Sequence, residues 1–157
     1  MSHRLIKIAA RIRSELVELD LIGSRIGNAW SRYQKVPDDY YLDSIALNLH
    51  GLYSGLERIF EIIAGNIDAD KPSGENWHQV LLNQMAKEIP QLRPAVLSSR
   101  VCGLLQDYKG FRHIVRNVYT YRFDVKKIEQ LVTEAPYIFE EAKSEILSFA
   151  TFLEESA

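Results

Sequence analysis

Cysteine is almost absent from this chain. One thiol, Cys102, cannot close an internal disulfide or build a cysteine metal cluster, and the expected setting is a reducing, cytoplasmic one. The four histidines, His3, His50, His78 and His113, lie too far apart for the tight ligand spacing of a zinc site, so no metal and no cofactor is expected. No apolar run is long enough to span a bilayer, and the opening stretch MSHRLIKIAARIR lacks the layout of a secretory signal. Repeats, low-complexity tracts and a linker that could divide two domains are also missing, which predicts one domain over residues 1–157. Net charge is small as well. Nineteen basic and 21 acidic side chains give −2, which speaks against a nucleic-acid partner until the placement of those charges is considered.

Five prolines and eight glycines leave 157 residues with few interruptions, and apolar residues recur at helical spacing instead. Leu5, Ile8, Ile12, Leu16, Leu19, Ile22, Ile26 and Trp30 form one stripe on a first helix over about 4–34. Val36-Pro37-Asp38-Asp39 ends it, and an aspartate there can cap the next. A second helix over about 40–65 turns Ile45, Leu49, Leu52, Leu56, Ile59, Phe60 and Ile63 inward, followed by a loop over 66–75. Shorter helices are predicted over 77–88 and 96–109, separated by Pro90 and Pro94. A further helix over 110–121 could continue the one before it across Gly110. The last spans about 124–155, with a kink expected at Pro136. No segment alternates like a hairpin strand. The expected fold is an all-α bundle of five to six helices.

The chemistry is concentrated in residues 108–124. With Arg112 at zero on a helix advancing about 100° per residue, Phe111, Ile114, Val115, Val118 and Tyr121 gather into an apolar sector. Arg112, His113, Arg116, Asn117, Tyr119 and Thr120 share the opposite face. Guanidinium groups bind phosphate oxygens and stabilise a crowded phosphorus transition state, and imidazole moves protons near neutral pH. RNA carries its own nucleophile, the 2′-hydroxyl, so such a face can cleave it without a metal. An Arg/His/Asn face is also a common solvated surface, and spacing by itself leaves both readings open.

The segment FRHIVRNVYTYRFD from Phe111 to Asp124 resembles the signature of HepT-like proteins of the HEPN superfamily: an arginine, four residues, a histidine, one residue and a tyrosine. SIALNLHGLYSGLERIF from Ser44 to Phe60 and WHQVLL from Trp77 to Leu82 support it, so the resemblance spans about 41–132. It implies a HEPN-like helical bundle acting as a metal-independent endoribonuclease toxin, a homodimer whose motif helices line a shared cleft. It also implies a partner, a minimal nucleotidyltransferase (MNT) antitoxin that silences the toxin by transferring AMP from ATP to the motif tyrosine. Carried over, Arg112 matches the motif arginine and Tyr119 the modified tyrosine, and Arg116 is placed to hold RNA.

Asn117 stands where the motif has its catalytic histidine, and an amide cannot act as a general acid or base. Three explanations are open: a deliberate His-to-Asn change that silences a toxic protein, a natural weakened member, or His113 supplying the imidazole from the same face. The intact surroundings favour the first. A non-catalytic helical module that recruits a nucleotidyltransferase or RNA is the alternative function.

Elsewhere the expectations are plainer. His50 and His78 are read as packed, hydrogen-bonded histidines, Trp30 and Trp77 as core or subunit anchors, and Cys102 as a buried inert thiol. The small net charge conceals a basic segment. Residues 107–127 hold six basic and two acidic side chains, a local charge of +4, leaving 13 basic and 19 acidic, or −6, elsewhere. In a dimer two such segments would meet, and RNA binding there would be salt-sensitive.

Overall fold

The apolar stripes become helices that bury them. The computed structural model describes residues 2–117 and 124–157, with the side chains of Ser2 and of residues 109–117 outside that description. Among the described residues there are five helices and no strand: α1 (Ser2–Lys35), α2 (Asp39–Asn66), α3 (Trp77–Met85), α4 (Ser99–Asn117) and α5 (Val125–Glu155). The bundle is all-α, as the periodicity predicts. One hydrophobic core takes side chains from all five helices.

α2 is the centre of the bundle, packing against each of the other four helices. Its buried residues extend well beyond one stripe and include Leu42, Ile45, Leu49, Leu52, Tyr53, Leu56, Ile59, Phe60 and Ile63. Asp38 caps its start, accepting a hydrogen bond from the Tyr40 amide at 3.0 Å. On α1, Ile8, Ile12, Leu16, Leu19 and Ile26 are buried as the spacing requires. The two helices approach closely at Gly55, where an added Cβ would collide with the buried Leu19 side chain. α5 runs through Pro136 as one helix, and Asp124 caps its first turn through the Lys126 and Lys127 amides.

α3 ends at Met85, three residues before the predicted Glu88, because tertiary contacts take over its last carbonyls. Met85 accepts hydrogen bonds from the Val96 and Leu97 amides, and the Gln84 carbonyl accepts one from Arg93. Between α3 and α4, Ile89-Pro90-Gln91-Leu92 forms a tight turn closed by the Leu92 amide on the Ile89 carbonyl at 3.0 Å. Proline in its second position and a positive φ of 68° at Gln91 are the geometry of a type II turn. α4 passes through Gly110, so the helix predicted over 96–109 and the described part of the one predicted over 110–121 are one, residues 118–121 lying outside the described residues.

The turn delivers Arg93 into the interior, where its side chain is 0% exposed and the Asp68 side chain 1%. Arg93 Nε and Nη2 grip the two Asp68 oxygens at 2.5 and 2.8 Å. Nη1 donates to the Lys87 and Pro94 carbonyls at 2.9 and 3.0 Å, and Nη2 also to the Gln84 carbonyl. Gln84 completes the cluster by donating to Asp68 at 2.8 Å. The five N–H donors of a guanidinium are therefore all engaged. Arg93→Met leaves Asp68 buried without its cation and is expected to lower stability by about 3–5 kcal/mol in urea denaturation. The double variant Asp68→Leu/Arg93→Met should recover part of that loss.

Candidate active site

α4 carries the motif, and its described half is anchored at three levels. Ser98 precedes it, accepting from the Val101 amide through Oγ at 3.2 Å and donating its own amide to Glu145 of α5 at 2.7 Å. One turn on, the buried Cys102 thiol donates to the Leu82 carbonyl of α3 at 3.7 Å, and burial pushes its pKa up. It is the inert, packed thiol expected from its apolar neighbours. Tyr108 is buried and donates its hydroxyl to the Leu131 carbonyl of α5 at 2.7 Å. Burial, with the Glu134 charge adding to it, raises the phenol pKa well above its ordinary value, which keeps the donor protonated.

From Tyr108 the helix continues to Asn117, so Arg112, His113, Arg116 and Asn117 lie on one uninterrupted backbone. Arg112 follows Tyr108 by about 6 Å along the axis. The side chains of these four residues, and Tyr119 altogether, lie outside the described residues. Asp124, which closes the motif, is the N-cap of α5.

The polar residue that sequence reading passed over is Glu57. Its side chain is 6% exposed, and one carboxylate oxygen lies 2.5 Å from His78 Nδ1 on α3, whose own side chain is 16% exposed. A buried carboxylate needs a hydrogen-bonded or charged partner, and the imidazole answers that need. The signal was present: Tyr53, Glu57 and Phe60 follow the i, i+4, i+7 register of a buried helix face. His78 is a packed, bonded histidine, as expected, and Trp77 tilts over its ring at 3.5 Å between centroids. Trp77 and Trp30 are partly buried against the core.

Other features offer less. A hollow of about 320 Å³ between α1, α2 and α5 has Leu52 and Phe139 in its wall beside two carboxylates, Asp20 and Glu140, and Asp20 is already paired with Lys143 at 2.9 Å. Among the described residues no group of His, Cys, Asp or Glu could hold a metal ion, and no helix is long and apolar enough to cross a membrane.

Tyr108 generates an alkaline prediction. Its folded pKa lies above the unfolded one, so its contribution to stability is intact below the ordinary phenol value of about 10 and declines as pH rises beyond it. Denaturation midpoints compared between pH 8 and pH 11 should fall less for Tyr108→Phe than for the unaltered chain. At pH 8 the variant should already be about 1 kcal/mol less stable from the lost hydrogen bond.

Comparison with known proteins adds one finding. No curated protein and no solved structure matches the chain. A family model described as HepT-like protein matches residues 44–153, most of α2 together with all of α3 and α4 and nearly all of α5. It includes the motif residues Arg112 to Tyr119 and both partners of the Glu57–His78 pair. The chain belongs to the HepT-like family of the HEPN superfamily.

Proposed function

We propose that this chain is the toxin of a HEPN/MNT toxin–antitoxin pair, a metal-independent endoribonuclease working as a homodimer on cellular RNA in the cytoplasm. The observation that carries this reading is the family match over residues 44–153, which contains the whole Arg112-to-Tyr119 motif. In this scheme Arg112 neutralises the scissile phosphate and Arg116 holds the strand through charge-assisted bonds. The 2′-hydroxyl attacks phosphorus, its proton passes to an acid–base group, and the 5′-oxygen leaves with a proton. Position 117 supplies that group when it is histidine, with His113 supporting the site.

Transfer of AMP from ATP to Tyr119 by the MNT antitoxin would silence this chemistry. The added phosphate competes with RNA for the same guanidinium donors, so charge as well as bulk blocks the cleft. Asn117 favours a second reading, a helical module that recruits the nucleotidyltransferase or RNA without cutting.

A cleavage assay on RNA in the presence of chelator separates the two. Asn117→His is expected to cut at least about 100-fold faster than the unaltered chain, the usual contribution of a placed acid–base group. Arg112→Ala in that background should abolish cutting. Mass spectrometry after incubation with an MNT nucleotidyltransferase and ATP should map AMP to Tyr119. If Asn117→His folds yet neither cuts RNA nor slows growth, the ribonuclease reading is wrong, and retained partner binding would establish the second.

A further inference from the structure

The family match begins at Ser44, and a groove built almost wholly from residues before it opens between α1 and α2. It holds about 410 Å³. Arg25, Asn28 and Arg32 line it from the C-terminal part of α1, and Tyr40, Tyr41 and Ser44 from the first turns of α2. Helical spacing brings them together. Arg25, Asn28 and Arg32 follow the i, i+3, i+7 register of one helix face. Tyr40, Tyr41 and Ser44 fall within about 100° of one another around α2, with Asp39 and Asp43 on the flank away from Tyr41. No carboxylate lines the groove among the described residues.

The two guanidinium groups are available. Arg13, Arg58, Arg93 and Arg100 each hold a carboxylate, but Arg25 and Arg32 hold none among the described residues. Arg25 is positioned instead. The buried Asn48 donates to the Ser44 carbonyl at 2.7 Å and presents Oδ1 to Arg25 Nε at 3.3 Å. Both Nη groups of Arg25 stay free to meet an anion, as does the whole guanidinium of exposed Arg32. Beside them the Tyr40 ring is 80% exposed, an aromatic face open to stacking.

Free guanidiniums with an open aromatic ring suit a nucleotide unit, phosphate on the cations and base on the ring. The arginines are two turns apart, about 10 Å along the axis. A strand presents phosphates in a row and matches that separation, whereas a free nucleotide gathers its charge at one end. Resting on the RNA reading above, we infer that this groove is a second RNA-binding site, which holds a single strand outside the motif. Arg25 and Arg32 take its phosphates and Tyr40 stacks a base.

The test uses a 2′-O-methyl oligouridylate carrying 5-iodouracil, which lacks the nucleophile and crosslinks to stacked aromatic rings under ultraviolet light. On the unaltered chain the crosslink should map to Tyr40 by mass spectrometry. Tyr40→Ala should weaken binding about tenfold, the usual effect of one lost stack, and Tyr40→Phe should retain it. Arg32→Ala should lower the slope of log affinity against log salt by about 0.7, the value for one phosphate on a single strand. These effects should persist in an Arg112→Ala/Arg116→Ala background. If the oligonucleotide binds but crosslinks elsewhere, the inference is overturned and the RNA reading stands. If AMP alone binds as tightly as the oligonucleotide, the strand is overturned in favour of a free nucleotide. Absence of binding to the unaltered chain also overturns the inference. A crosslink at Tyr40 upholds it even where Asn117→His fails to cut RNA, an outcome that removes only the ribonuclease reading.

Discussion

The buried guanidinium of Arg93 holds together the three segments on which the placement of the motif depends. It clamps Asp68 at the exit of α2, the Gln84 carbonyl in the last turn of α3 and the Lys87 and Pro94 carbonyls of the connection into α4. A charge this deep tolerates little displacement, since any lost hydrogen bond leaves a desolvated donor or acceptor. The consequence reaches beyond the cluster. With these ends tied, α4 must start beside the end of α2 and run back along it. A helix has no freedom to redirect its residues once its first turns are pinned, so Ser98, Cys102 and Tyr108 set where its far half goes.

α2 supplies the surface against which this happens. It touches every other helix and is buried around much of its circumference. Within that apolar surround Glu57 is an exception, compensated by His78 across the α2–α3 contact. The same helix therefore provides the core and a buried polar contact with α3. Surface ion pairs such as Arg13–Glu154 and Arg100–Glu141 add cross-links between helices at the rim but are exposed, and pairs of that kind contribute little.

Much of the fold was legible in the sequence. Helical periodicity marked α1, α2 and α5, because their buried residues recur on faces that only an α-helix can make contiguous. A capping aspartate in Asp38-Asp39 was legible, and Cys102 as a buried thiol, from immediate neighbours alone. The end of α3 was not, because its last turn yields to hydrogen bonds from Arg93, Val96 and Leu97, contacts formed by chain eight or more residues downstream. The continuity of α4 through Gly110 was left open for a related reason. Glycine weakens a helix by only about 1 kcal/mol, and packing decides whether that matters.

For the site, the sequence by itself determined the motif: the residue types of Arg112, His113, Arg116, Asn117 and Tyr119, and their order along the chain. Those properties are local, set by spacing and side-chain chemistry. The tertiary structure decided which polar residues of other helices meet. Glu57 and His78 are 21 residues apart on different helices. Their meeting depends on how α2, α3 and α4 are tied end to end by Asp68 and Arg93. Helical periodicity reports which face of a helix is buried, but which helix buries it is a property of the whole packed bundle.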